Sequence, residues 1–318
     1  MQGKSLTARS AVAYYIHIMK LQFPLGAVLA LAASGCGNLE VVSKLSTGGG
    51  DEPGAVVSQS FDVPEFTKIE AGSSLQIEYS TGRKRSVTVQ ADTDVMSHIS
   101  VSVSDGVLHL KTEGSFSTHE PIIVKIENPA LTGFFLSGAS KGDFKGISSE
   151  AFEVLLSGSS DAKLVGHLRS LRVEVTGSSK LDAASRGKFD LSGFVTGSSE
   201  IKTVGVVGEL DIQATGASRI KLDRLDANSA KASVLGSSSM TAHGSAKTLT
   251  SSVTGASELR FDGVKVDTAE VTATGSSHVT IGETKNLKAV ATGASEITYR
   301  GHPEVSRVTT GGSSIEPG

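Results

Sequence analysis

Tryptophan is absent from this 318-residue chain, cysteine occurs once and proline seven times. A single cysteine excludes an internal disulfide and a cysteine metal cage. The eight histidines, at 17, 98, 109, 119, 167, 243, 278 and 302, lack metal-ligand spacing, so no metal or other cofactor is expected. Aromatics make up only 5% of the residues, and the hydrophobic share of 38% is low for one bulky core. The net charge of −3 shows no basic excess, which argues against a nucleic-acid partner. No uninterrupted apolar run reaches the ~20 residues of a membrane-spanning helix. The apolar stretch from Leu21 to Ala33 is short and is broken by Pro24.

Glycine, by contrast, is abundant at 36 residues, and it is placed periodically. From Gly138 onward the tripeptide Gly-(Ser/Ala)-Ser begins at 138, 158, 177, 197, 216, 236, 255, 275, 293 and 312. A period near 19 is the mark of stacked equal coils. Counted from each glycine, even positions are apolar or small and odd positions polar. The column two before reads Leu156, Val175, Val195, Ala214, Val234, Val253, Ala273 and Ala291. Four after stand Leu181, Ile201, Ile220, Met240, Leu259, Val279 and Ile297. Period two on both sides of the tripeptide means an extended chain with one face inward, bent at the glycine. A second glycine eight residues on, at 146, 166, 205, 244, 263 and 301, marks another corner. The fold class predicted is all-β: a parallel β-helix of about ten 19–20-residue coils, right-handed by the crossover rule. A flexible Gly/Ser linker would not repeat apolar columns in register.

Residues 61–130 lack this spacing but alternate as β-strands, for example Leu75, Ile77 and Tyr79, or Ile122, Val124 and Ile126. Asp105-Gly106 predicts a tight hairpin turn, and Asp94 to Ile99 one turn of helix. A repeat array needs an atypical end unit, and residues 61–130 take that capping role, with the coils over 131–318.

The first 36 residues read as an export signal. Lys4, Arg9 and Lys20 precede the apolar Leu21–Ala33 stretch, then Ser34-Gly35-Cys36 follows, with Met19 as the probable true start. The pattern resembles a bacterial lipoprotein signal, which makes Cys36 the lipid-attachment residue and the membrane a partner through that anchor. Residues 37–60, small and polar, read as a flexible tether.

Along the coils, the column three after the glycine runs Lys141, Asp161, Lys180, Glu200, Arg219, and the column five after runs Asp143, Lys163, Asp182, Lys202, Lys221. In the first four coils opposite charges alternate in both directions, a device for holding register. The serines two after each glycine, from Ser140 to Ser314, predict an inward hydroxyl column rather than nucleophiles, since no histidine stands consistently beside them.

The opening Phe61-Asp-Val-Pro-Glu-Phe-Thr-Lys-Ile, the stretch Pro121-Ile-Ile-Val-Lys-Ile-Glu-Asn-Pro-Ala-Leu-Thr, and Leu136-Ser-Gly-Ala-Ser resemble the head GIN domain family of auto-transporter adhesins. The resemblance implies a bacterial envelope protein with a right-handed β-helix and an adhesive role, and carries no catalytic residues. The function expected is non-enzymatic: an exported, lipid-anchored, monomeric envelope protein of the outer membrane, facing periplasm or cell surface, that binds a polysaccharide or other surface polymer. A structural module without ligand is one alternative. A polysaccharide-active enzyme is another, disfavoured because coils of at most 20 residues leave no long loops to wall a cleft.

Overall fold

The computed structural model describes residues 43–46 and 54–318; Met19, Cys36 and the whole signal segment lie outside the described residues. Within the unit that holds the described residues, nearly everything is strand. The end of the stretch read as tether is strand as well. Strand β1 (Ser43–Ser46) pairs antiparallel with β2 (Val56–Phe61), and β2 with β5 (Ser86–Asp92). The physical reason is visible in β2, where Val57 is buried while its neighbours point outward.

The coils proper are long bent strands that pair in parallel with the next: β10 (Lys141–Leu156), β11 (Asp161–Val175), β12 (Lys180–Val195), β13 (Glu200–Ala214), β14 (Arg219–Gly236), β15 (Ser239–Gly255), β16 (Glu258–Gly275) and β17 (His278–Gly293). They stack as a β-solenoid of about ten turns. The columns predicted to point inward are buried, among them Leu156, Val175, Ile201, Val253 and Ile297. The aromatic share of this core is concentrated at its start. Phe134 stacks on Phe144 with centroids 3.8 Å apart, and Phe152 meets Phe134 edge-on at 5.8 Å. Burying each such side chain is worth roughly 1.5–3 kcal/mol. Later coils fill the same columns with smaller residues, among them Ala183, Ala230, Ala232, Ala269 and Ala289.

Each tripeptide glycine from Gly138 to Gly293 lies in the left-handed region, and coil stacks on coil there at backbone distance. At Gly197, φ is +76°, and a Cβ would stand 2.2 Å from the Gly177 carbonyl oxygen. Only glycine fits such an approach. The residue after each glycine donates its N–H to the glycine carbonyl of the coil below, as Ser178 does to Gly158, Ser198 to Gly177 and Ala217 to Gly197, all at 2.7 Å. The parallel ladder therefore runs through this corner unbroken. Every irregularity of register falls instead on the far side of the coil, for instance between Lys145 and Ile147, Gly166 and Ser170, or Phe261 and Val266. Coil lengths of 18 to 20 residues are accommodated there.

The stack begins one coil earlier than the regular spacing announces. Strands β3 (Lys68–Ala71) and β4 (Gln76–Thr81) pair in parallel with β9 (Gly133–Leu136) and the start of β10. The bend between them is another Gly-Ser-Ser, Gly72 to Ser74, displaced by one residue, so that Ser73 takes the left-handed place at φ +72°. Below this rung lies one made from later sequence. Strand β7 (Val107–Thr112) pairs with β3 and β8 (Ile123–Asn128) with β4, again in parallel. The rung of residues 68–81 is thus sandwiched between chain that follows it. Antiparallel strands close this end: β6 (Ile99–Ser104) on β7, through the expected Asp105-Gly106 hairpin, and β5 on β8. A short 3₁₀ turn at Met96–His98 stands where one turn of helix was expected. Buried Asp92 ties the loop before β8 to this cap by accepting the His119 N–H at 2.8 Å and the Thr118 hydroxyl at 3.2 Å. Chiefly through the His119 N–H, its carboxyl is held below the usual range.

At the other end, β18 (Glu296–Arg300), β19 (Glu304–Gly311) and β20 (Ser314–Pro317) form the last turn. Here the expected register is corrected by one residue. Gly311, not Gly312, lies on Gly293, with φ +80°. Arg307 and Thr309 pair with inward Ala289 and Ala291, so this last layer is polar. Arg307 Nη1 donates to the Ile315 carbonyl at 3.1 Å.

Two glycines separate the left-handed requirement from the stacking requirement. Gly106 has φ +72° but open space where a Cβ would go, whereas Gly197 has both demands. Gly106→Ala should cost about 1–2 kcal/mol, and Gly197→Ala at least twice as much, because the carbonyl below must move. Denaturant midpoints would measure both, and equal losses would show that stacking is not the constraint.

Candidate functional site

The faces of the solenoid can be sorted by what their side chains already do. The inward serines are occupied, except Ser199, whose buried hydroxyl has no hydrogen-bond partner. Ser140, Ser160, Ser218, Ser257, Ser277 and Ser295 each donate to the carbonyl three residues earlier, at 2.7–2.9 Å, closing the corner turn. Ser179 and Ser238 accept N–H groups from Ser160 and Ser218. In the last coil the hydroxyl in this column belongs to Ser313, which donates to Thr310 and Ala291, and not to Ser314, which lies opposite outward Glu296. The shift follows from Gly311 taking the corner.

The charged columns also lie in the expected register, Lys141 opposite Asp161, Lys163 opposite Asp182, Lys180 opposite Glu200. Two of the short ion pairs in these columns run along one strand, Lys180–Asp182 at 3.2 Å and Arg260–Glu258 at 2.6 Å. Lys221–Glu200 at 3.3 Å is diagonal, and His278–Glu296 at 3.0 Å is vertical. The Lys180 ammonium is held above its usual range by Asp182 first, then by Asp161 and Glu200 in the coils on either side. Exposed pairs of this kind are worth ~0–1 kcal/mol each. Asp190 and Glu209 are engaged too, since they accept backbone N–H groups of Glu209, Asn228 and Ser229 where the register shifts. Among the described residues, no cluster of three or more His, Cys, Asp or Glu is placed to hold a metal ion, and no helix is long and apolar enough to cross a membrane.

One flat face departs from this pattern. It is the outward side of the strands that lead into the tripeptide corner, and it runs from the cap into the first coils. Its outer column reads Val107, Lys68, Gly133, Glu153, Arg172, Ser192. The parallel column reads His109, Glu70, Phe135, Leu155, Glu174, Phe194. Further on, the same column continues as Gln213, Ser233, Ser252 and Thr272, all small or polar. Apolar side chains occupy this outward column in two places, at Phe135, Leu155 and Phe194, which are partly exposed, and again at Val290 and Val308 in the last coils. Neighbours sit ~4.8 Å apart along the stack.

The charged groups of this patch are set around the apolar ones. Gly133 leaves a gap in the outer column, and Lys68 spans it to reach Glu153 at 2.9 Å. Glu174, between Leu155 and Phe194, has its carboxyl pushed up by burial; Arg172 works against that and Glu153 adds to it. At the cap end, His109 stands between Glu70 at 2.8 Å and Ser104 at 2.9 Å. A flat surface with apolar and ionised groups in fixed rows suits contact with an extended ligand. Sequence reasoning did not name these residues. The available signal was three large apolar residues at odd positions, where the pattern calls for polar ones.

The family profile described as "Putative auto-transporter adhesin, head GIN domain" matches residues 65–205 and 190–303. Among solved structures, a "putative adhesin" from Parabacteroides merdae is 21% identical, with a TM-score of 0.47, covering 83% of this chain and 96% of that one. A "putative adhesin" from Parabacteroides distasonis is 22% identical, with a TM-score of 0.45 and coverage of 83% and 97%. A "putative lipid binding protein" from Parabacteroides distasonis is 20% identical, with a TM-score of 0.44 and the same coverage. No curated protein matches the chain.

Glu174 gives the face a pH signature. Its folded pKa lies above the unfolded value, so the native state binds the extra proton and stability falls as pH rises from ~4.3 through the folded pKa. Glu174→Gln should remove that slope and melt higher than the parent at pH 7. A lower melting temperature at pH 7 would mean that the carboxylate is stabilised instead.

Proposed function

We propose, from the premise that the chain belongs to the head GIN domain family of auto-transporter adhesins, that it is an envelope lipoprotein whose β-solenoid binds a surface polymer, a polysaccharide foremost, through the flat face of Phe135, Leu155, Glu174 and Phe194. The carrying observation is the break in the outward column: partly exposed Phe135 and Leu155 on adjacent coils, with Phe194 one rung beyond Glu174, where the middle coils place Gln213, Ser233 and Ser252. Their spacing along a rigid stack matches a ligand that is itself extended, and Lys68, Glu153 and Arg172 border the apolar row with hydrogen-bonding groups. The role is one of binding and not of polymer cleavage, because the face is not walled. Cys36, after its apolar leader, supports export and lipid anchoring, and the small polar stretch that follows it supports a tether that holds the binding unit off the outer membrane as a monomer.

Two measurements test this reading. Immobilised chain should bind envelope polysaccharide saturably, and Phe135→Ala with Leu155→Ala should weaken that binding about 10-fold, the scale of losing one well-packed apolar contact. Val165→Ala with Val204→Ala, exposed apolar residues elsewhere, should leave it unchanged. Equal affinity in the first pair and the parent would remove the face from consideration. Separately, Cys36→Ser should move the exported chain from the membrane fraction to the soluble one; retention in the membrane would exclude the lipid anchor.

A further inference from the structure

The cap end of the same face holds a relay that polymer binding does not use. The β6–β7 hairpin places Ser104 beside His109, and the pairing of β7 with β3 places Glu70 on the other side of the same ring. Ser104 Oγ is 2.9 Å from His109 Nε2, and His109 Nδ1 is 2.8 Å from Glu70 Oε2. An ionised carboxylate can only accept, so Nδ1 carries the proton, and Nε2 of the neutral ring accepts from the serine hydroxyl. Lys111 Nζ lies 4.0 Å from the other Glu70 oxygen. The His109 and Glu70 side chains are covered to 21% and 32% exposure, while Ser104 is exposed. The order nucleophile, base, orienting acid is the one acyl-transfer sites use.

We propose that Ser104 is a nucleophile toward small, unhindered carboxylic esters, with His109 as its general base and Glu70 as the positioning residue. Ser104 Oγ bonds to the ester carbonyl carbon as its proton passes to His109 Nε2. The bond from that carbon to the alcohol oxygen then breaks, and the alcohol leaves with the proton. Water, deprotonated by the same nitrogen, displaces the acyl group as a carboxylic acid and restores the hydroxyl. Donors for the transient oxyanion are at hand in the N–H groups of Asp105, the next residue, and Gly106. Both residues are left-handed, at φ 50° and 72°, at the tip of the turn, and the space beside Gly106 is open. An open site of this kind takes small esters and turns them over slowly. The proposal does not depend on polymer binding.

A fluorophosphonate probe and p-nitrophenyl acetate, used on the full chain, test it. Mass spectrometry should find the probe on the peptide containing Ser104. Acetate hydrolysis above the buffer rate should fall at least ~10-fold in Ser104→Ala, His109→Asn and Glu70→Gln, with Glu70→Asp recovering part of the loss and melting temperatures unchanged. Ser102→Ala, an exposed neighbour on the same strand, should keep full labelling. No probe on Ser104, or equal hydrolysis by the parent and Ser104→Ala, overturns the proposal.

Discussion

The structure depends on one contact repeated coil after coil: a left-handed glycine whose carbonyl receives the N–H of the residue following the next coil's glycine, at 2.7–2.8 Å from Gly138 through Gly275. The approach leaves no room for a side chain. It fixes the height of each coil and its rotation, and the buried serine two residues on locks the bend by bonding back across it. Apolar columns then align because the corner does. The hydrophobic core of this protein is a consequence of backbone stacking as much as its cause.

Because one corner tolerates no variation, the opposite side carries all of it. Insertions, register shifts and acidic side chains that receive stray N–H groups gather there, as at Asp190 and Glu209. The two flat sides next to the strict corner inherit its regularity. One holds the charge rows, which are spent on each other. The other is smooth and polar through its middle coils, with Phe135, Leu155 and Phe194 standing out near the cap and Val290 and Val308 at the far end. Function on such a scaffold is written as an exception to a column, and the exception is readable only because the column is so even.

Most of the solenoid was legible in the sequence for this reason. Local spacing alone dictates the period, the inward columns, the serine ladder and the charge rows, so each appears along the chain as it appears in space. The departures have specific causes. Gly311-Gly312 offers two residues for one corner, and the choice is made by the length of β19 against β17. Gly72-Ser73-Ser74 was passed over because it stands outside the period and its corner is a serine. The relay of Ser104, His109 and Glu70 joins three strands that meet only because β7 slides under β3. No spacing rule expresses a rung laid beneath one made earlier, and the cap and the cluster it builds were hidden for the same reason.

That inverted rung has a consequence in time. Strand β3 is made first, yet its two neighbours are β7, which begins 39 residues later at Val107, and β9, which begins at Gly133. Neither side of it is covered until both have emerged. Later coils need only the coil before them, so they can be added one by one. The cap and first turn must close together, as a single long-range event, and every subsequent coil is templated on its outcome.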